Sequence, residues 1–225
     1  MHTFQTKLKH LFGHLLVASL LISPATAALA NPSEALSTEE LRELQSKMSR
    51  RQYLSLDFVQ IRTSALRPKK PAKSSGTAIF AKPSRFRWEI QKPQGDVLIF
   101  DGKNLFSFKP GDQTATRFKT QGEKANEINE VIDFVMDFDA LLKRYQLMES
   151  TRSSDEIFLK LKPKSEGPIA GIDISIDGKK FFVRSLKMSF NNKNTSEFQF
   201  SNPSPVKIDV KSFAVPETMK IVDGV

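Results

Sequence analysis

The stretch Ala81-Lys-Pro-Ser-Arg-Phe-Arg-Trp-Glu-Ile-Gln-Lys-Pro93 (AKPSRFRWEIQKP) alternates apolar and charged side chains around the only tryptophan of the chain. Successive side chains of a β-strand point to opposite faces, so this segment has an apolar face and a charged face. The apolar face holds Phe86, Trp88 and Ile90, and the charged face holds Arg85, Arg87, Glu89 and Gln91. Rings and cations that bind nucleic acid would have to reach the same open surface. The alternation therefore favours a strand buried on one face and predicts no nucleic-acid partner.

Strands of the same kind flank this stretch. Leu54, Leu56 and Phe58 alternate with polar residues, and the change of phase at Val59 predicts a β-bulge. Further short segments follow to the C-terminus, separated by turn signals such as Asp101-Gly102. Nine or more consecutive strands predict a mainly β (α+β) fold, with a single strongly curved antiparallel sheet that forms an unclosed barrel.

Two segments have helical periodicity instead. Ser37 and Glu40 have the spacing of a capping box, and apolar residues recur at helical spacing after them. Residues 123–145 also place apolar side chains at i, i+3 and i+4. We expect this N-terminal helix and these central helices to pack on the sheet, either filling its mouth as a lid or lying on its outer surface.

The N-terminus has the residue order of a secretory signal peptide. Lys7 and Lys9 precede an apolar run over residues 15–22, and small residues then offer cleavage after Ala27 or Ala30. The run is too short to span a bilayer. We therefore expect residues 1–30 to be removed on export to the periplasm and residues 31–225 to form one domain.

The composition argues against several kinds of catalytic site. All three histidines lie in the predicted signal peptide, and the chain has no cysteine. Histidine-based triads, thiol nucleophiles, disulfides and most transition-metal sites therefore need residues that the exported part lacks. It also lacks a P-loop and a G-x-S-x-G elbow. Catalysis by carboxylates or by a Ser–Lys pair stays open on composition, but the sequence has no motif for it, and we predict that the protein is not an enzyme and uses no metal or cofactor.

The chain is basic, with a formal net charge of +9. An exported basic protein is expected to meet anionic lipid surfaces or acidic proteins, although solubility alone would also explain the charge. One segment concentrates the cations, and it carries Arg62, Arg67, Lys69, Lys70 and Lys73. This segment could steer the protein to an acidic partner or to anionic head groups, or it could be a solvated hairpin loop.

Several motifs together resemble one known family. They are FVQIR at residues 58–62, GTAIFAKPSRFRWEIQKP at 76–93, DGKNLFSFKP at 101–110, FLKLKPK at 158–164, SEFQFSN at 196–202 and SFAVPETMKIV at 212–222. Their order resembles the periplasmic outer-membrane lipoprotein carriers of the LolA family. The resemblance implies an incompletely closed barrel of about eleven strands with a helical lid, whose apolar concavity shields lipoprotein acyl chains.

The resemblance also implies partners. Acylated lipoproteins would arrive from an ATP-driven inner-membrane releasing complex and leave to an outer-membrane receptor, LolB or an equivalent, and the carrier would act as a monomer. An alternative is a sensory or regulatory periplasmic protein of the same fold that binds lipidated ligands. The missing histidine and nucleophile elbow argue against a third possibility, a hydrolase of envelope lipids.

The resemblance assigns roles to individual residues. The expected acyl-chain wall is Phe58, Phe80, Phe86, Trp88, Ile90, Phe100 and Phe106, and the expected lid residues are Val135, Met136 and Phe138. The same residues would also suit an ordinary packed core. Lys82 stands where the family usually has an arginine that holds the lid. Because lysine lacks the five-donor fork of arginine, we expect Lys82 to be a weaker latch at the cavity mouth, a contact to cargo, or a snorkelling side chain.

Overall fold

The computed structural model describes residues 34–118, 134–205 and 207–224. Its strands are β1 (Glu34–Ala35), β2 (Tyr53–Thr63), β3 (Ala72–Ala81), β4 (Arg85–Lys92), β5 (Val97–Phe100), β6 (Leu105–Phe108), β7 (Thr114–Phe118), β8 (Tyr145–Arg152), β9 (Glu156–Pro163), β10 (Ile169–Asp177), β11 (Val183–Phe190), β12 (Thr195–Ser204) and β13 (Lys220–Asp223). The helices are α1 (Thr38–Ser49), α2 (Phe138–Arg144) and a 3₁₀ helix (Val210–Phe213). The predicted signal peptide lies outside the described residues.

All of these strands belong to one curved sheet. Their order is β1-β8-β9-β10-β11-β12-β2-β3-β4-β5-β6-β7-β13. Neighbouring strands are antiparallel, which confirms the prediction, except that β13 runs parallel to β7. The two edge strands, β1 and β13, pair with different neighbours and not with each other, so the barrel is unclosed, as expected.

The predicted bulge in β2 is wrong. β2 pairs with β3 residue by residue from Tyr53 to Arg62. The phase changes in the sequence because Gln60 occupies an inward position and is buried there. The Gln60 side-chain amide hydrogen-bonds with the Ser196 hydroxyl of β12 across 3.0 Å, which compensates for its burial.

The predicted helix start at Ser37 is confirmed. Ser37 Oγ accepts a hydrogen bond from the Glu40 amide at 3.3 Å, and the Ser37 amide donates to Glu40 Oε2 at 2.9 Å, which completes a capping box. Residues 134–136 and α2 account for the described part of the central helices. The rest of that prediction, including Ile128, lies outside the described residues.

The sheet has an apolar cluster on each face. The inner cluster joins side chains of β2–β6 and β8–β12 to those of the helices. The outer cluster lies over β5–β7 and is covered by the C-terminal segment, whose Phe213 is buried there. In the described part of the chain, no helix combines the length and the apolar character needed to cross a membrane.

Candidate functional site

The inner face of the sheet carries rows of apolar side chains in register. Phe80 on β3 lies opposite Leu54 on β2 and Phe86 on β4, and Phe86 lies opposite Phe100 on β5. These neighbours point to the same face because the strands are paired without a slip at these positions. Strand parity thus places six of the seven predicted wall residues on one continuous surface: Phe58, Phe80, Phe86, Trp88, Ile90 and Phe100.

Trp88 lies at the centre of an aromatic contact chain. Its ring is 4.0 Å, centroid to centroid, from Phe58 and 5.6 Å from Phe198, against which it packs edge-on. Phe198 stacks in turn on Phe200 at 5.9 Å. Only 6% of the Trp88 side chain is exposed. The indole is therefore part of an apolar surface that extends across β12, β2 and β4.

Two aromatic residues of this surface were not among the predicted wall residues. Phe198 and Phe200 lie on β12 and are buried in the inner cluster. The sequence does contain a pattern that points to them, because Phe198, Gln199 and Phe200 show the same alternation as the segment around Trp88. Their neighbour across the sheet is β2, since Phe200 pairs with Phe58, a long-range pairing that the local pattern does not specify.

Phe106 lies on the opposite face from the other predicted wall residues. The turn at Asp101–Asn104 pairs Phe100 with Leu105, so Leu105 takes the inward position and Phe106 faces outward. Phe106 and Phe108 alternate with Ser107, but they form the outer face of β6, which the C-terminal segment covers. Alternation therefore separates the two faces of β6 without showing which of them points inward.

The helices cover the inner face. Leu44 and Met48 of α1 are fully buried in the inner cluster. The predicted lid residues Val135, Met136 and Phe138 are buried in the same cluster. The aromatic surface is thus packed against helices in this structure, and a ligand would have to displace helical side chains to reach it.

Lys82 attaches the C-terminal end of α1 to the sheet. Its ammonium group donates to the Ser49 carbonyl at 2.7 Å, and its backbone amide donates to Gln52 O at 2.9 Å. Ser49 O is among the terminal helical carbonyls that lack an intrahelical partner, and a cation at this end of a helix is favourable. Lys82 therefore bonds the N-terminal helix through one carbonyl, which fits a compact ammonium group without the planar donor fork of arginine.

Two carboxylates attach α1 to its surroundings: Glu40, which is part of α1, and Asp139 of α2. Glu40, near the helix start, accepts from Arg152 Nη1 of β8 at 3.0 Å. The amide and hydroxyl of Ser37, together with Arg152, lower the pKa of Glu40 below its usual value. On α2, Asp139 accepts hydrogen bonds from Gln45 and Ser49 of α1. Helix α1 is therefore attached at its start, along its length and at its end.

Arg51 follows α1 and is largely buried. Its Nη2 donates to Phe181 O at 3.2 Å, in the turn between β10 and β11. Its Nη1 has no hydrogen-bond partner. It is the only buried side-chain nitrogen or oxygen of which this is true among the described residues. Burial also lowers the pKa of Arg51.

The charged face around Trp88 is the outer face, as parity predicts. Arg87 and Glu89 form an ion pair there at 3.1 Å, and Arg85 Nε donates to Asp101 O at 3.2 Å. A groove of about 350 Å³ lies beside them, lined by Thr77, Ile79, Arg87 and Ser212. The arginines therefore do not line the aromatic surface.

Asp177 is a buried carboxylate whose contacts stabilise the turn between β10 and β11. Asp177 at the end of β10 pairs with Arg184 at 2.6 Å and accepts from the amides of Lys179 and Lys180. Burial favours the protonated form of Asp177, but these donors outweigh burial and hold its pKa below the usual value. No group of three potential metal ligands occurs within residues 34–118, 134–205 and 207–224. The described inner face thus offers mainly apolar contact.

Comparison with known proteins gives consistent matches. The family model of the outer membrane lipoprotein carrier protein LolA matches residues 49–216. An outer-membrane lipoprotein carrier protein of Chromobacterium violaceum is 26% identical over 219 residues, covering 96% of this chain and 100% of the relative. One from Actinobacillus succinogenes is 30% identical over 156 residues, covering 68% and 69% of the two chains.

A solved structure shows the same fold. The crystal structure of an uncharacterized conserved protein from Thermus thermophilus aligns with a TM-score of 0.51 at 12% identity, covering 83% of this chain and 98% of that one. The family match extends over most of the chain and includes the strands that form the aromatic inner face. The chain therefore belongs to the LolA family of outer-membrane lipoprotein carriers, which are binding and transport proteins and not enzymes.

Proposed function

We propose that this protein is a periplasmic carrier that binds lipoprotein acyl chains on the inner face of its sheet. It would accept them from an ATP-driven inner-membrane complex and deliver them to an outer-membrane receptor, LolB or an equivalent. The observation that carries the proposal is the aromatic surface around Trp88, which lies beneath helices attached to the sheet by polar side chains. Membership of the carrier family supports lipoproteins as the ligand.

The chemistry of the inner face suits an acyl chain. Phe and Trp rings give large apolar contact areas, and methionines such as Met48 and Met188 adapt to variable shapes. An acyl chain has no hydrogen-bonding groups, so a wall that lacks unpaired polar atoms can hold it in several positions. Such a surface would accept different lipoproteins through the part of their structure that they share.

Loading requires the helices to move away from the sheet. Leu44, Met48 and Phe138 already fill the space next to the aromatic wall, so an acyl chain would replace these apolar contacts with its own. Opening would also break the polar attachments to the sheet made by Lys82 and Arg152.

Release must be direct. Burial of an acyl chain yields about 0.8 kcal/mol per CH₂, so two or three long chains represent tens of kcal/mol. Dissociation into water at that cost would be too slow for transport. The proposed carrier would therefore pass its cargo straight into another apolar cavity, with the energy for loading supplied by the inner-membrane complex.

A binding experiment tests this proposal. The purified protein is mixed with an acylated lipoprotein or with the same polypeptide made without acyl chains, and complexes are separated by gel filtration. We expect a complex with the acylated form alone, chemically unchanged, and its transfer to membranes that carry the receptor. Equal binding of both forms would support recognition of polypeptide, and ester cleavage would contradict the carrier assignment.

A further inference from the structure

The hairpin between β2 and β3 exposes a large apolar side chain at its tip. Leu66 is 92% exposed, more than any other large hydrophobic residue in the described part of the chain. The tip, residues 64–71, lies where β2 ends, whereas Lys82 lies beside the start of β2. The 11 residues of β2 separate the two places by about 35 Å. The tip is therefore remote from the Lys82 attachment at the end of α1.

The tip has a defined conformation. The amide of Arg67 donates to Ser64 O at 3.0 Å, and the amide of Lys70 donates to Arg67 O at 3.1 Å, which forms two consecutive turns. The Ser64 hydroxyl also accepts from the Leu66 amide at 3.3 Å. The neighbouring hairpin holds the tip as well, since Asn194 Oδ1 accepts from the Ala65 amide at 2.9 Å. Leu66 is thus held outward by a structured loop.

Exposed cations follow Leu66 along the hairpin. Arg67, Lys69, Lys70 and Lys73 are exposed, and none of the four forms an ion pair with another described residue. The sequence contains no Asp or Glu between Asp57 and Glu89, so no carboxylate on the hairpin offsets these charges. The tip thus combines one exposed apolar side chain with a neighbouring run of positive charge.

We propose that this tip docks the protein on membrane surfaces that carry anionic phospholipids. Leu66 enters the interfacial layer, while Arg67, Lys69, Lys70 and Lys73 lie at the level of the lipid phosphates. A specific protein partner would need an interface of roughly 800 Å² per side with an apolar centre, and a single leucine does not supply that centre. A lipid surface needs no shape complementarity, because its attraction grows with each cation that approaches it.

The docking inference goes beyond the carrier function and is tested without cargo. The purified protein is floated with vesicles of phosphatidylcholine alone or with phosphatidylglycerol added. We expect the wild type to bind the anionic vesicles. The partition coefficient should fall about tenfold for Leu66→Ser. It should fall about fivefold for each cation removed, in Lys69→Gln and in Lys70→Gln. Added salt should weaken the binding of the wild type more than that of the charge variants.

Matched variants control for general effects of charge and apolar surface. Lys103→Gln removes an exposed cation from the turn between β5 and β6, and Val210→Ser removes an apolar residue that is 59% exposed in the C-terminal segment. Both should bind vesicles like the wild type. Equal binding to neutral and anionic vesicles, or unchanged binding by Leu66→Ser or by the charge variants, would overturn the proposal. Acylated-lipoprotein binding in solution by Leu66→Ser reports on the carrier function separately.

Discussion

Gly76 has the least space for a side chain on the aromatic inner face. It lies between Phe58 on β2 and Ile90 on β4. A Cβ at this position would meet the carbonyl oxygen of Glu89, which is backbone and cannot rotate away. Glycine is therefore required here for the close approach of β3 and β4.

We predict that Gly76→Ala lowers the free energy of unfolding by about 2–3 kcal/mol, because the two strands must separate to admit the methyl group. Gly171→Ala is the matched control in β10, where the nearest atom to an added methyl group would be Leu161 O at a relaxed 3.6 Å. Denaturant unfolding of both variants measures the difference. Equal stability of the two variants would contradict the steric argument.

Strand parity predicts correctly which face of the sheet a side chain occupies where one face of the strand is polar. Phe86, Trp88 and Ile90 alternate with charged residues, and the structure places all three in or against the inner cluster. The prediction for Phe106 is wrong because Phe106 and Phe108, which alternate with Ser107, form the outer face of β6. Local sequence does not reveal that a segment more than one hundred residues later covers the outer face of β6.

Helix α1 is the element most directly connected to ligand access. Its apolar side packs on the inner cluster, while its polar attachments run from Glu40 to Ser49. The sequence predicts the start of this helix through the capping box and its apolar side through spacing. The resemblance leads us to expect Lys82 as a latch of the helical lid, but the sequence predicts neither its bond to the Ser49 carbonyl nor the contact of Arg152 with the helix start.

We predict that Lys82→Glu loosens the C-terminal end of α1. The substitution removes the bond to Ser49 O and puts a negative charge beside the helix carbonyls. Hydrogen exchange of amides in the last turn should accelerate about tenfold, and loading or transfer of cargo should be impaired, while Lys82→Arg should retain slow exchange. Lys103→Glu controls for the charge change. Wild-type exchange in Lys82→Glu would exclude the latch role.

We also predict that acid weakens the start of α1. Because the pKa of Glu40 is lowered in the folded protein, its ionised form stabilises the fold above the unfolded pKa of about 4.3, and this stabilisation is lost as pH falls through the folded pKa. Stability measured from neutral to acid pH should therefore fall more steeply for the wild type than for Glu40→Gln. Glu39→Gln, in the same helical turn, should follow the wild type. Parallel curves for the wild type and Glu40→Gln would refute this linkage.

The described strands form a single curved sheet with two differently covered faces. Helices cover the inner, aromatic face, and the C-terminal segment covers the outer face through residues such as Phe213. Side chains of Lys82 and Arg152 attach the helices of the inner face to the sheet. A hydrogen bond between Ser49 and Asp139 joins the two helices to each other. Such polar attachments can open and close again, which supports the proposal that ligands enter on the inner side.

The fold class could be predicted from the sequence because strand alternation and turn signals are local. The parallel pairing of β13 with β7 could not, since it joins segments that are far apart in the chain. The closed packing of the inner face could not be predicted either, because a cavity wall and a filled core use the same residue types. Trp88 is already buried, so ligand binding should shift its emission little, and contact quenching is the better test.

The central claim is that acyl chains contact the inner face, and quenching by brominated chains tests it most directly. An acylated peptide with bromine on its acyl chain is added to the wild type, whose only indole is Trp88. The matched control combines Trp88→Phe with Phe106→Trp, which moves the indole to the outer cluster. We predict strong quenching in the wild type, little in the control, and none with the unbrominated peptide. Equal quenching of both proteins, or none in the wild type once peptide is bound, would contradict the account.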